Sequence, residues 1–420
     1  MSSPANRRID FADTIKLLQS EQTWEYETGV RGTCDDVGQA AFDALQRPGD
    51  FPPLEAAIVP GDRVALAVDP NVPGVVEVVQ GAVKAIQQTQ AGEIDVVIGE
   101  EATDETLSAM QVVVGDGVSL NRHSSSVRLS LRYLGADESA DPIYLNRRLV
   151  DADFVLPIVA ARPLDTFGGQ DLTGIFPAFA DSASRSRHRD NLQKICDQND
   201  FSNGTSSDPT LEPSWLLGVQ IILSVVANSA GDTGRVFAGT IDAARKELKP
   251  TRRLPDEFPS AAPLVIASLD GNQQQQTWAN AARAVAAASR FVQTEGTIVL
   301  WSEIDEPPVG RLFALAEEAT PIESEEDQTE SDSASLTEDE DFPAWDEDTS
   351  TAITLARIAA ENRLLIHSRL DPDVIETMGL GSVSSGEELT RLSQSFEACG
   401  VLRAAQFEGT TCDTPHSVPG

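Results

Sequence analysis

Short apolar runs alternate with longer amphipathic ones along most of the chain. RVALAVD (Arg63–Asp69) reads as a buried strand, and the helix-period stretch PGVVEVVQGAVKAIQQTQ follows it. Pro73 stands at the start of that stretch, where a helix tolerates proline. EIDVVI (Glu93–Ile98) is the next strand, and TDETLSAM is a short helix with Thr103 as its N-cap. DFVLPIV (Asp153–Val159) is a third strand. A second series begins near Pro263: strand PLVIASL, helix TWANAARAVAAASRFVQ, strand GTIVLW and helix VGRLFALAEEA. It continues with helix TAITLARIAAENR, strand LLIHSRL, helix GEELTRLSQSFEAC and strand VLRAAQF. Strands alternating with helices predict an α/β fold of two domains, each with a mainly parallel sheet flanked by helices.

A break between Lys246 and Ala262 (KPTRRLPDEFPSAAP), rich in proline and charge, divides the chain into domains 1–250 and 251–420. The second is interrupted over 321–349. Glu323–Asp348 carries 13 acids and no base, and Asp327–Asp348 has the composition of a disordered loop. Phe342 and Trp345 stand among those acids as possible anchors for a protein partner.

Bulk composition narrows the function. A length of 420 residues calls for more than one core, and a hydrophobic fraction of 40% allows sizeable ones. The formal charge of −36 argues against nucleic acid and against anionic membrane surfaces, both of which need clustered cations. No apolar run is long enough to span a membrane, and no signal-peptide core follows the N-terminus. Four scattered cysteines, Cys34, Cys196, Cys399 and Cys412, make no metal-binding spacing and fit a reduced, cytoplasmic protein.

Ligands of open parallel sheets sit beyond the carboxyl ends of the strands. Three such ends stand out. Asp69 opens the turn DPNVPG, as a catalytic carboxylate or a helix cap. The loop FGGQDLTGIFP (Phe167–Pro177) has a glycine pair that lets the backbone approach a ligand. Asp270-Gly271-Asn272 leads into the glutamine run Gln273–Gln276, either a polar loop or a set of amides that hold a carboxylate or hydroxyl. The histidines are His123, His188, His367 and His416. His188 follows Arg185 and Arg187 and precedes Arg189 on a predicted helix, as a surface basic patch or an anion-binding feature. Nucleotide-binding and serine-hydrolase motifs are absent.

The segment LRYLGADESADPIYLNRRLVDADFVLPIVAARPLDTFGGQDLTGIFPAFAD resembles the nickel-dependent lactate racemase (LarA-like) family. VDPNVPG, GVQIILSVVANSAGDTGRVFAGTIDAARKE, LVIASLDGNQQQQTWANAARAVAAASRFVQTEGTIVLWSE and HSRLDPDVIETMGLG extend the likeness, in order, from about Pro53 to about Phe407. It implies two α/β domains with a site in the cleft between them, and an isomerase acting on 2-hydroxy acids. It also implies a nickel-pincer cofactor tethered to a lysine of the glycine-pair loop, histidines for acid–base work and for nickel, and second-domain groups that place the substrate.

Residue by residue, the chain departs from that pattern. Asp69 matches the strand-end aspartate, but Val72 stands where an arginine is expected, and Thr103 and Ala161 or Arg162 stand at histidine positions. Gly168 and Gly169 match the glycine pair, while Asp171 or Thr173 takes the place of the lysine; no lysine occurs between Lys84 and Lys194. His188 falls about where the nickel ligand is expected. Ala279 replaces the tyrosine and Arg283 the substrate-placing lysine. The resemblance thus implies Asp69 and Arg283 as catalytic residues, Gly168, Gly169, Asp171 and Thr173 around a cofactor that no lysine tethers, and His188 on the metal. Beside the racemase, two alternatives stand: a non-catalytic relative that binds a small anionic hydroxy acid, and an interaction protein working through its acidic insertion.

Overall fold

The computed structural model describes residues 11, 15, 16, 18, 22–27, 30, 32–137, 139–161, 172–197, 211–248, 261–315, 341–346 and 348–408. The chain forms two compact units. One comprises residues 29–253 with 322–347 and 409–420, and the other 1–28, 254–321 and 348–408. The strands, in chain order, are β1 (Gln22–Glu27), β2 (Arg63–Val68), β3 (Glu93–Ile98), β4 (Val118–Arg122), β5 (Leu131–Ala136), β6 (Pro142–Asn146) and β7 (Phe154–Ala160). They continue with β8 (Ile222–Ala227), β9 (Thr233–Gly239), β10 (Ala262–Ser268), β11 (Val292–Trp301), β12 (Arg363–His367), β13 (Gly381–Ser382) and β14 (Ala398–Arg403).

The first unit is built on a sheet of order β4-β3-β2-β7-β8-β9, parallel except for β8–β9, with β5 and β6 as a separate antiparallel hairpin. The strands β7 and β8 are buried along their whole length, as expected of a sheet covered on both faces. Pro157 sits within β7, an unusual place because proline cannot donate to the ladder. Ala161 donates its N–H to Val225 on β8, so the missing donor of Pro157, four residues earlier, faces β8 as well. Pairing with β8 begins only at Ile158, so no ladder bond is forfeited.

Helix α1 (Val37–Gln46) crosses α2 (Val75–Gln87) at small residues. A Cβ on Gly81 would lie 2.0 Å from the backbone oxygen of Gly38. The start of α2 departs slightly from expectation: Gly74, with φ of 65°, is the N-cap and Val75 the first helical residue, so Pro73 precedes the helix. Thr103 caps α3 (Asp104–Val114) as the sequence predicts, accepting the N–H of Thr106 at 3.2 Å.

The second unit carries a sheet of order β1-β14-β10-β11-β12-β13, parallel throughout. Its edge strand β1 comes from the N-terminus, so residues placed in a 1–250 domain by the break near Lys246 add a strand to the other unit. The reason is a fitted contact: Gly400 leaves space for the Trp24 indole, and a Cβ there would lie 2.2 Å from the ring. Helix α4 (Trp278–Ser289) packs on β10 and β11 through alanines that allow close approach. The stretch GEELTRLSQSFEAC is helical only over Gly386–Ser393; Ala398 and Cys399 belong to β14, and VLRAAQF ends in a 3₁₀ turn over Ala405–Phe407. Burial raises the Cys399 thiol to about 12, so it stays protonated. No helix among the described residues is long and apolar enough to cross a membrane.

Two outcomes follow from this packing. Gly81→Ala forces α1 and α2 apart, and urea unfolding should show a loss of about 1–3 kcal/mol, although alanine is the better helix former. Self-repulsion at a net charge of −36 weakens the compact state and is screened by salt. The thermal midpoint should therefore rise steadily as KCl is added; a flat response would show that the acids are compensated locally.

Candidate functional site

In the first unit, β2, β3, β4, β7 and β8 all end on one edge of the sheet, and the turns that follow them carry its polar residues. After β2, Asp69 is buried. Its N–H donates to Ile158 at 2.9 Å, and its carboxylate accepts the N–H of Asn71 at 2.8 Å. This is an Asx turn, which supports the turn-forming role of the residue. Val72, where the resemblance expects an arginine, is 1% exposed. The Thr233 hydroxyl donates to the Pro73 carbonyl at 2.7 Å, and the same oxygen would meet a Cβ on Gly74 at 2.7 Å. Only glycine fits that left-handed position.

After β3, Glu100 accepts the hydroxyl of Ser125 at 2.7 Å, its N–H at 3.3 Å, and the guanidinium of Arg185 at 2.9 Å. Arg185 lies on helix α5 (Ser182–Asp197), whose first turn is capped by Asp181 through the N–H of Ser184 at 2.9 Å. The expected basic patch is therefore not a row of surface charges: Arg185 is buried and ion-paired.

After β4, His123 is buried, with Nε2 3.1 Å from the Ala180 carbonyl and Nδ1 3.2 Å from the Asn146 amide nitrogen. One tautomer satisfies both contacts: Nε2–H donates to Ala180 and Nδ1 accepts from Asn146. Desolvation, and then the charge of Arg185, lower its pKa to about 3. It is a neutral core residue with both nitrogens engaged.

Of the glycine loop after β7, Gly168, Gly169 and Asp171 lie outside the described residues. Thr173 is 1% exposed, its hydroxyl 2.6 Å from that of Ser214, and it accepts the N–H of Ile175 at 3.3 Å. Gly174, with φ of 65°, presses on β7, where a Cβ would lie 2.7 Å from Val159. The loop closes through a cis Phe176–Pro177 bond. The ring of Phe176 meets His188 of α5 edge to face at 5.1 Å. Asp69 and Thr173–Gly174 thus flank neighbouring strand ends, and His188 joins the loop through Phe176.

Arg283 belongs to the other unit, on α4, where it donates to Asn280 at 2.9 Å; Asn280 in turn donates to the Gln275 carbonyl at 2.9 Å. The glutamine run there is a structural plug rather than an open polar loop. Gln274, Gln275 and Gln276 are buried, and Gln276 donates to Leu269 at 3.1 Å and accepts from Glu303 at 2.8 Å. Asp270 is held by Arg403 at 3.1 Å and the N–H of Ala404 at 2.8 Å. The Glu100–Arg185 pair and the His123–Asn146 contact were not singled out from sequence. The double acid Glu100-Glu101 just after β3 was the one local signal for the former.

Among solved structures, the lactate racemase apoprotein from Thermoanaerobacterium thermosaccharolyticum is similar to this chain, with a TM-score of 0.68 and 16% identity over 94% of this chain and 96% of that one. A structural-genomics crystal structure from Thermotoga maritima is also similar, with a TM-score of 0.59 and 10% identity over 90% and 99% of the two chains. No family model and no curated protein match the chain. The likeness establishes a lactate racemase-like α/β fold. A tethered nickel-pincer group does not fit the residues present: Thr173 offers a hydroxyl bound to Ser214 in place of an amine. Among the described residues, no group of three His, Cys, Asp or Glu side chains is placed to hold a metal.

His123 makes a pH prediction. Its folded pKa, about 3, lies below the ordinary 6.5, so the unfolded chain binds the extra proton. Its contribution to stability is complete above pH 6.5 and is lost as the pH falls toward 3. Relative to the native chain, His123→Gln should flatten the fall of stability between pH 6 and 4 by up to about 1.4 kcal/mol per pH unit. Parallel pH profiles for the two proteins would refute the assignment.

Proposed function

We propose that this chain is a lactate racemase-like protein that binds a small 2-hydroxy acid anion without racemising it. The observation carrying this reading is the edge of the first unit's sheet. A racemase-like fold is matched over 94% of the chain, while the histidine buried there, His123, is locked neutral between Ala180 and Asn146. A general base needs a pKa near the working pH and an accessible lone pair; His123 has neither. Binding has support: strand ends of parallel sheets are the usual ligand sites, and Arg283 brings a positive charge to the other unit's helix α4, anchored through Asn280. The cysteine pattern fits a cytoplasmic setting.

A second reading keeps catalysis, with an untethered nickel-pincer nucleotide ligated by His188. It is favoured by the half-buried His188 ring set against Phe176 of the loop. The two part cleanly in protein made alongside the enzymes that build the cofactor. The binding reading expects an intact mass equal to the bare chain, no stoichiometric nickel and no interconversion of D- and L-lactate. Calorimetry should detect binding of lactate or another short 2-hydroxy acid, weakened about tenfold in Arg283→Ala, roughly the value of one charged contact. Stoichiometric nickel with racemisation would establish the second reading. Absence of binding across a panel of such acids would overturn the first.

A further inference from the structure

The end of the acidic insertion, expected to be disordered, is ordered on the first unit. Residues 341–346 lie against the turn before β5, Tyr144 of β6 and α5, held by backbone hydrogen bonds. The Asp341 carboxylate accepts the N–H of Arg128 at 2.9 Å. The N–H of Phe342 donates to Ser126 at 2.8 Å, and the Ser182 hydroxyl donates to the Pro343 carbonyl at 2.6 Å. Arg189 reaches the Asp346 carbonyl at 3.5 Å. Two side chains act as anchors. Phe342 is 6% exposed, 5.5 Å from the Tyr144 ring and beneath the Arg128 guanidinium. Trp345 lies under two guanidinium groups, Arg185 at 4.3 Å and Arg189 at 5.2 Å.

Beside Arg128 the surface opens into a cleft of about 330 Å³ lined by Leu129, Leu131, Arg132, Tyr133 and Arg147 as well. Leu129 and Tyr133 are exposed there, 78% and 54%. Three arginines, of which Arg132 and Arg147 share Asp151 as a partner, and uncovered apolar side chains make an unusual surface on a chain of net charge −36. The residues that precede Asp341 in sequence, Glu338-Asp339-Glu340, carry the complementary charge.

We propose that this face is a docking groove for acidic peptides with an aromatic–proline–x–tryptophan core, and that the chain's own Asp341–Asp346 is its resident ligand. Backbone hydrogen bonds set the register, Phe342 and Trp345 supply the anchors, and arginines select the acidic flank by charge and by stacking. The resident segment covers the face of α5 that presents Arg185 and Arg189, the neighbours of His188. A competing peptide of the same kind would uncover it.

The test uses the full chain with Phe342→Ala and Trp345→Ala together, and a fluorescein-labelled peptide of sequence EDEDFPAWD followed by anisotropy. Saturable binding is expected to the double variant, at least tenfold weaker binding to the unaltered chain, and a further tenfold loss when Arg128→Ala and Arg189→Ala are added. A second variant, with residues 323–346 replaced by a Gly-Ser linker of equal length, should bind the peptide likewise. The proposal is overturned if a folded variant shows no saturable binding, or if a scrambled peptide of the same composition binds equally. Equal binding to the unaltered chain would overturn it too. So would loss of fold in both variants, because a docked ligand must be separable from the fold.

Discussion

The Glu100–Arg185 pair is the contact on which the strand-end edge of the first unit's sheet depends. Glu100 stands after β3, Arg185 on the first turns of α5, and Ser125 in the turn after β4; one carboxylate ties all three. The Arg185 side chain is 10% exposed and that of Glu100 27%, so desolvation offsets much of the attraction in the complete pair, while removing Glu100 would strand a mostly buried guanidinium. Its value is therefore positional. It ties the first turns of α5, the helix that carries His188, to the ends of β3 and β4. It also puts a positive charge near His123, one of the two causes that keep that ring neutral. The same guanidinium stacks on Trp345, so the docked acidic segment rests on a side chain already held by Glu100.

That arrangement shows how a lactate racemase-like fold is held at these strand ends by contacts local to each turn. The strand-end turns are held by short-range hydrogen bonds and by glycine conformation. Asp69 closes an Asx turn, Thr103 caps α3, and Thr173 bonds Ser214. Gly74 and Gly174 hold left-handed positions against Thr233 and Val159. Each of these residues satisfies polar groups of its own turn, so the turns keep their shape from within.

Much of the fold was legible in the sequence because it is written in local periodicity. The runs RVALAVD, EIDVVI and DFVLPIV became β2, β3 and β7, and Thr103 became a cap, because burial on both faces and capping leave their marks within a few residues. What escaped was non-local. The pairing of β1 with β14 joins residues more than three hundred and fifty positions apart, and the signal for it is only the space Gly400 leaves for Trp24. Glu100 and Arg185 are 85 positions apart, so the basic cluster around His188 read as a surface patch when its first member is buried. The glutamine run looked like an open loop because its burial depends on Leu269, Glu303 and Asn280, contributed by separate elements. Phe342 and Trp345 were visible as anchors; the groove that takes them was not, since its parts come from the turn before β5, from β6 and from α5.

Net acidity and local basicity then belong to one electrostatic design. A chain of charge −36 repels its own acidic stretches, and a segment as acidic as Glu323–Asp348 would ordinarily be driven off the surface. It is retained at its C-terminal end where arginines are concentrated and where those arginines also stack on aromatic rings. Stacking matters because it persists under salt, whereas charge attraction between exposed groups is screened within about 8–10 Å at physiological ionic strength. Salt that relieves the repulsion of the whole chain therefore weakens the flank of the docked segment more than its core. The Phe342 and Trp345 anchors carry its place on α5 where the acids alone could not.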